Sequence, residues 1–291
     1  MIDLIVETDL GHDPDDFFTL CYLSGVGVRL RAICVVPGDR DQLAVARMLV
    51  QFLCLNIPVG ASKPASNKCG SGGIHYDLLD QFGFPREADP DGPGDEVIAS
   101  TMAKYPGCEF LIIGPCTSTA RYLSRPSALL PQRLTMQGGF LGYHLHAPRV
   151  RLPQFEGRTW VPTFNLNGDR KGAEVLLAAP IPERRFVGKN VCHTLLYDRA
   201  FHATMPPPDP GNAAQGLFML GMDRYLAKHE EKKWHDPTAA VCHLHPEVGV
   251  WYRGRVAKIA AGWGTLADAA GDAILADIDR EALWARFRGW A

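Results

Sequence analysis

Short runs of apolar residues alternate along the chain with segments whose apolar positions recur every three or four residues. The runs at 2–8, 30–36 and 109–114 are rich in Ile, Leu and Val, which is typical of buried strands. Residues 40–55 carry their apolar side chains at helical spacing. This alternation predicts an α/β fold with a Rossmann-like, mainly parallel open sheet flanked by helices. Further strands are predicted near 57–61, 133–136 and 185–188, and further helices near 16–26, 95–105, 211–229, 237–244 and from 117 onward.

Two stretches interrupt the alternation. Residues 62–94 are rich in Gly, Pro, Ser and Asp, and residues 142–162 mix His, Pro, Arg and Trp. Loops of this length within a compact domain are usually functional or mobile. The tail from Ile274 onward ends in a segment that predicts an amphipathic helix. Because neither an internal repeat nor a linker divides the chain, residues 1–291 are predicted to form one domain.

Composition and charge narrow the class of protein. The 291 residues are 46% hydrophobic and 21% charged, which is typical of a globular protein. Thirty Lys and Arg against 32 Asp and Glu leave a net charge of −2, which does not favour nucleic acid or an anionic membrane as a partner. No apolar run approaches the ~20 residues of a membrane span. The eight cysteines are scattered without a C-x-x-C pair, and the N-terminus does not resemble a signal peptide, so we expect reduced thiols in a cytoplasmic protein.

Five carboxylates fall within the ten residues 7–16, whose sequence is ETDLGHDPDD. They follow the first predicted strand and precede a helix, where parallel α/β sheets commonly form their sites. Like charges packed this closely repel one another, so a compensating cation with oxygen ligands is expected. The same acidic residues are also typical of a helix cap. The cluster alone therefore leaves metal binding and capping open.

Four further segments accompany this cluster: GPCTS at 114–118, MQGGF at 136–140, TFN at 163–165 and HDP at 235–237. In this order, the five segments resemble the inosine–uridine-preferring nucleoside hydrolase family. The resemblance covers most of the chain. It implies an enzyme that uses Ca²⁺ to hydrolyse the N-glycosidic bond of a ribonucleoside or of a modified ribosyl compound.

The resemblance also implies the residues that hold the ion and perform the reaction. The implied Ca²⁺ ligands are Asp9, Asp16, the main-chain carbonyl of Thr117, and Asp236, all of them hard oxygen donors. Asp9 holds the position of the general base, which takes a proton from water as an oxocarbenium-like sugar develops. His235, beside Asp236, is placed to donate a proton or a hydrogen bond to the leaving base.

Other residues are assigned to the substrate. Asp15 and Asn165 are expected to bind the 2′ and 3′ hydroxyls of the sugar. Asp13 is an alternative to Asp15, because the acidic segment is one or two residues longer than the common form of the family. The remaining predicted contacts are Asp39, Gln137, Thr163, Lys189 and Asn190.

One departure from the family bears on the substrate. Thr163 stands where the family has a Glu that is expected to hold the 5′ hydroxyl of the sugar. The far end of the sugar is therefore expected to be modified or to be held by other groups, such as Lys189 and Asn190. Lys189 is equally compatible with a solvated loop position. The base pocket is not assigned, and its candidates are Tyr143, His144, His146, Trp160, His229 and Trp234.

Two other functions are compatible with parts of the pattern. One is a non-catalytic ribose- or nucleoside-binding protein on the same fold, although such a protein needs neither the base Asp9 nor the acid His235. The other is a metal-dependent phosphohydrolase that uses the acidic cluster and prefers Mg²⁺. The favoured partner is a small nucleoside-like substrate, without nucleic acid or membrane. The resemblance also implies a homodimer or a homotetramer.

Overall fold

The computed structural model of this chain describes residues 1–11, 13–63 and 70–290, and is built on one large sheet flanked by helices. Within these ranges the strands are β1 (Asp3–Thr8), β2 (Arg29–Val35), β3 (Val59–Ala61), β4 (Gly92–Pro93), β5 (Glu109–Ile112), β6 (Arg133–Gln137), β7 (Trp160–Val161), β8 (Glu183–Val187), β9 (Leu196–Asp198), β10 (Glu231–Lys233), β11 (Gly249–Ile259), β12 (Gly262–Ala267) and β13 (Asp272–Ile278). The helices are α1 (Asp15–Gly25), α2 (Arg40–Phe52), α3 (Ile74–Phe82), α4 (Gly94–Lys104), α5 (Thr117–Leu123), α6 (Phe164–Gly168), α7 (Arg170–Ala178), α8 (Lys189–Cys192), α9 (Arg199–His202), α10 (Ala213–Lys228), α11 (Asp236–Leu244) and α12 (Arg280–Arg288).

The large sheet has eleven strands in the order β4-β3-β2-β1-β5-β6-β8-β13-β11-β12-β7. From β4 to β13 every neighbouring pair is parallel, and from β13 to β7 every pair is antiparallel. Strands β9 and β10 form a separate antiparallel pair. The mainly parallel open sheet predicted from the sequence is thus confirmed, while the antiparallel arm formed by β11 and β12 was not predicted.

The core lies on both faces of the sheet. Successive side chains of a strand point to opposite faces, so Leu4 and Val6 of β1 join one hydrophobic cluster and Ile5 joins the other. All three are at most 1% exposed. This double burial explains why the strands read as continuous apolar runs rather than as an alternation of apolar and polar residues.

The two predicted loops contain regular structure. In the first, α3 lies within residues 62–94, and its buried Ile74, Leu78 and Leu79 join the larger core cluster. Residues 64–69 of this stretch, which include Cys69, lie outside the described residues. In the second, β7 pairs with β12 at the edge of the sheet.

The sequence predicts reduced cysteines and no membrane-spanning segment. The seven cysteines within the described ranges are free thiols, and Cys54 alone among them is exposed. In the same ranges, no helix combines the length and the apolar character needed to cross a membrane.

The first carboxylate of the acidic segment has a structural role. Glu7 is 1% exposed, and its two oxygens accept the backbone N–H groups of Ser118 at 2.6 Å and Thr119 at 3.0 Å. Burial raises the pKa of Glu7 to about 7, although these donors oppose the rise. Glu7 therefore ties the end of β1 to the first turn of α5, next to the strand ends that form the cavity described below.

Candidate active site

The carboxyl ends of β1, β5, β6 and β8 meet at one cavity of about 600 Å³. Four residues at or just after these strand ends line it, namely Asp9, Ile113, Gln137 and Lys189. The strands are parallel, so their carboxyl ends meet at the same edge, which is where ligands bind in open α/β sheets. The remaining walls come from the segments that begin α1, α6 and α11, together with Gly70, Ser71 and His193.

Glycine and glutamine fix the backbone of Asp9. A Cβ on Gly114 would lie 2.5 Å from the Asp9 amide nitrogen, so only glycine allows the chain after β5 to approach this closely. On the other side, Gln42 of α2 donates its Nε2–H to the Asp9 carbonyl at 3.3 Å. These two contacts hold Asp9 at the floor of the cavity.

Five carboxylates line one side of the cavity: Asp9, Asp13, Asp15, Asp16 and Asp236. One oxygen from each of Asp15, Asp16 and Asp236 lies within 4.8 Å of the others. The structure therefore brings together the start of α1 and the start of α11, more than two hundred residues apart in the chain. The hydroxyl of Thr8 donates to Asp16 and helps to fix its orientation.

The charge of this cluster is only partly compensated. Burial, reinforced by the charges of Asp15 and Asp13, raises the pKa of Asp9 to about 8. Burial and the neighbouring carboxylates likewise raise the pKa of Asp16 and of Asp236 well above the usual range. Oxygen donors packed in this way match the ligand set of a hard divalent cation, which would offset their repulsion. The donor set therefore fits a metal ion.

Lys232 of β10 supplies the internal counter-charge and was not predicted from the sequence. It is 4% exposed, and its Nζ lies 2.7 Å from Asp13 and 3.4 Å from Asp15. Burial favours a raised pKa for Asp15, but the charge of Lys232 and the hydrogen bond from His235 outweigh it and hold the pKa of Asp15 below its usual value. Asp15 is therefore the carboxylate of the cluster that is most firmly ionised and oriented.

His235 presents a free ring nitrogen. Its Nδ1 lies 3.4 Å from Asp15, while its Nε2 is buried and has no hydrogen-bond partner in the part of the chain that the structure describes. The ring of His193 lies 5.1 Å from that of His235, centroid to centroid. Burial, followed by the charge of His235, lowers the pKa of His193 to about 3, so His193 is neutral at neutral pH. The arrangement leaves the Nε2 of His235 as a potential proton donor to a ligand.

Asn165 and Gln137 form the polar floor opposite α1. The Nδ2 of Asn165 donates to the carbonyls of Ile113 and Gln137 and to the Gln137 side chain, each at 2.9 Å. Its Oδ1 accepts no hydrogen bond from the described residues. Asn165 is therefore held rigidly and keeps one acceptor for a ligand hydroxyl.

Three of the predicted site residues do not line the cavity. Thr117 begins α5 and donates its hydroxyl to Asp169 at 2.8 Å. Asn190 is buried and hydrogen-bonds the backbones of Leu141 and Leu275. Asp39 is at the N-cap of α2, with a carboxylate oxygen 3.5 Å from Lys63. The other predicted residues, Asp13, Gln137, Thr163 and Lys189 among them, do line it.

None of the six aromatic and histidine candidates for the base pocket lines the cavity. Trp234 is 0% exposed in the aromatic core, and the Tyr143 hydroxyl accepts the Leu152 N–H. Among the described residues, the rings that line the cavity are those of Phe164, His193 and His235. Phe164 is 58% exposed, which is unusual for a phenylalanine and available for stacking against a planar ligand.

Comparisons with known proteins identify the family. The family model for inosine-uridine preferring nucleoside hydrolases matches residues 4–285. A comparison with curated protein sequences found no significant match. Among solved structures, an inosine-uridine preferring nucleoside hydrolase from Bacillus anthracis is 15% identical, with a TM-score of 0.72 over 100% of this chain and 99% of that one.

Two other solved structures are similar over nearly their whole lengths. A plant nucleoside hydrolase is 17% identical, with a TM-score of 0.70 over 99% of this chain and 98% of that one. A purine-preferring ribonucleoside hydrolase from Gardnerella vaginalis is 16% identical, with a TM-score of 0.65 over the same shares of the two chains. At these identities the structural likeness speaks for the fold, and the family model speaks for the chemistry of an N-glycosidase. The chain belongs to the inosine-uridine preferring nucleoside hydrolase family.

Proposed function

We propose that the chain is a Ca²⁺-dependent hydrolase that cleaves the N-glycosidic bond of a ribosyl compound, with Asp9 as the general base. One observation carries the proposal: the carboxylate cluster and the unpartnered Nε2 of His235 face the same cavity. A base and an acid on one cavity are what hydrolysis of such a bond requires.

The cation would be held by Asp9, Asp16 and Asp236. Thr117 lies outside the cavity lining, whereas Ile113 lines it, so we assign the main-chain carbonyl ligand to Ile113. A bound calcium ion supplies positive charge that offsets the carboxylates and makes a water molecule at the site easier to deprotonate. Its preference for oxygen ligands matches a site that contains neither thiolate nor imidazole in its clustered donor set.

Other side chains of the cavity bind the sugar and stabilise its positive charge during the reaction. Asp15, oriented by Lys232, accepts a hydrogen bond from one sugar hydroxyl, and the Oδ1 of Asn165 accepts one from the other. These contacts fix the ring and lower the entropic barrier to attack. The surrounding carboxylates also stabilise the positive charge that develops on the sugar.

Two proton transfers complete the reaction. Asp9 takes a proton from water as the water oxygen bonds to C1′ of the sugar. The bond from C1′ to the base nitrogen breaks, and the Nε2–H of His235 protonates the departing base. The products are the free base and the free sugar, with no redox change.

The proposal is tested by measuring sugar release. Calcium-loaded protein is incubated with a panel of purine and pyrimidine ribosyl compounds, and the reducing sugar and the base are quantified. We expect one equivalent of sugar for each equivalent of base, and loss of turnover on chelation. A ligand that raises the melting temperature without product would support a binding protein instead. Phosphate release that depends on Mg²⁺ would support a phosphohydrolase.

A second measurement tests the role of His235. His235→Ala should lower kcat about 10²–10³-fold for a substrate whose base is a poor leaving group, since general acid catalysis is lost. The loss should be much smaller for a p-nitrophenyl riboside, because nitrophenolate departs without protonation. An equal loss on both substrates would contradict the role of His235 as the acid.

The cytoplasmic location and the assembly into a homodimer or homotetramer stay predictions. The single-domain organisation of residues 1–291 also stays a proposal, although the one continuous sheet from β4 to β7 supports it.

A further inference from the structure

The cavity is electrostatically asymmetric. Its acidic side carries five carboxylates, but Lys189, which also lines it, makes no ion pair with a carboxylate in the described ranges. Instead, the half-buried Lys189 donates from Nζ to the Pro162 carbonyl at 2.7 Å. A partly buried ammonium group that leaves nearby carboxylates to other partners is a potential binding group for a ligand anion.

Thr163 lies at the same end of the cavity. The Pro162 carbonyl that Lys189 contacts is bonded directly to the Thr163 nitrogen, so the two side chains belong to one corner. Thr163 is 2% exposed, and its buried hydroxyl has no hydrogen-bond partner among residues 1–11, 13–63 and 70–290. A buried hydroxyl without a partner is unfavourable, and it gains a partner when a ligand oxygen reaches it.

A second lysine reinforces the positive potential at this corner. Burial lowers the pKa of Lys189, and the charge of Lys233 lowers it further. His193 also lines the cavity, and the charges of Lys233 and Lys189 help to lower its pKa, after burial and the charge of His235. Lys233 is exposed and makes no ion pair with any described carboxylate. No described carboxylate therefore forms an ion pair with either lysine at this corner.

We propose that Lys189 and Thr163 bind a phosphate group on the 5′ carbon of the sugar, so that the preferred substrate is a nucleoside 5′-monophosphate. The inference rests on the proposed function, which places the 2′ and 3′ hydroxyls at Asp15 and Asn165 and the base at His235. C5′ is attached to C4′, across the ring oxygen from C1′, so we assign its substituent to the remaining polar corner, which Lys189 and Thr163 line. The Lys189 ammonium and the Thr163 hydroxyl donate to phosphate oxygens.

The reaction itself is unchanged by this assignment. Water adds to C1′, the bond from C1′ to the base breaks, and the phosphate ester stays intact. The products are the free base and ribose 5-phosphate. A short neutral side chain at position 163 suits this ligand, because a carboxylate there would repel the phosphate.

The test compares substrates on the calcium-loaded protein. We measure kcat/KM for uridine, uridine 5′-monophosphate, uridine 3′-monophosphate and orotidine, which carries its anionic group on the base. We expect about 10- to 100-fold higher kcat/KM for the 5′-monophosphate than for uridine, the range that a charge-assisted hydrogen bond provides. The 3′-monophosphate should show no such gain.

Variants of Lys189 and Thr163 test whether these residues cause the preference for the 5′-monophosphate. Lys189→Met should reduce the ratio of kcat/KM for uridine 5′-monophosphate over uridine by at least about tenfold, and Lys189→Arg should retain part of it. Thr163→Val should reduce the ratio less. Lys171→Met, which changes an exposed lysine of α7 outside the cavity lining, is the matched control and should keep the wild-type ratio.

Each result separates this inference from the function on which it rests. Turnover of uridine without a preference for its 5′-monophosphate overturns the inference and leaves the hydrolase intact. A preference for orotidine alone places Lys189 at the base and also overturns it. The absence of both ribose and ribose 5-phosphate with these substrates and with every purine and pyrimidine compound of the panel, at saturating calcium, contradicts the proposed function itself.

Discussion

Asp9→Asn is expected to lower kcat about 10³-fold and to leave the fold intact. Asparagine has nearly the shape of aspartate, and the backbone contacts to Gly114 and Gln42 do not involve the carboxylate that is lost. The variant cannot accept a proton from water, however, so the base of the reaction is removed. The measurement is kcat at saturating substrate over a range of calcium concentrations, with the melting temperature as a check on folding.

Asp13→Asn is the matched control for this prediction. Asp13 lines the same cavity and carries the same charge, but its side chain is 59% exposed and pairs with Lys232. We expect Asp13→Asn to lower kcat by less than about tenfold, since only a screened charge is lost. A loss in kcat as large as that of Asp9→Asn, with KM unchanged, would mean that the net charge of the cluster matters and would contradict the role of Asp9 as the base.

Much of the fold follows from sequence patterns because its strands are buried on both faces. Continuous apolar runs such as those of β1 and β5 are recognisable without a partner, and their bounds differ from the predicted ones by one or two residues. The acidic segment after β1 is placed by the same logic, at the carboxyl end of a parallel strand.

The antiparallel arm escaped prediction for a physical reason. Only Gly254 and Val256 of strand β11 are buried, and charged residues interrupt its apolar positions, so these form no continuous run. The turn to β12 contains Ala260 with a φ of 51°, where an Asn-Gly pair would have marked a hairpin. Because alanine rarely adopts a positive φ, its presence gives no sequence signal for a hairpin turn. Strand β11 also pairs with β13, a contact that local sequence does not indicate.

Three residues that the sequence assigns to the site lie outside the cavity lining and have local structural contacts instead. Thr117 and Asp39 sit at helix starts, and the side chain of Asn190 bonds two backbone segments. Each role depends on neighbours that sequence alone does not locate. Conversely, Lys232 lies in the charged run EEKKW, which predicts a solvated strand, and only the fold brings it to Asp13.

Asp236→Asn is expected to weaken calcium binding about 10²-fold or more, since one of the three carboxylates proposed to hold the ion, Asp9, Asp16 and Asp236, loses its charge. Activity at low calcium should fall accordingly. Calorimetric titration with CaCl₂ measures the affinity directly, and the rise in melting temperature at fixed calcium measures it through linkage. Asp223→Asn, which changes an exposed carboxylate near His202, is the matched control and should bind calcium as the wild type does.

The direction in which Asp236→Asn changes the melting temperature shows whether Asp236 binds calcium or only supports the fold. Burial and the charges of Asp15 and Asp16 raise the pKa of Asp236, which means that its ionised form is unfavourable when no cation is bound. In the presence of a chelator, Asp236→Asn should therefore melt at the same temperature as the wild type or higher. In excess calcium it should melt lower, because the wild type alone gains the full binding free energy. A variant that is destabilised equally in both conditions would show that Asp236 supports the fold and does not hold the ion.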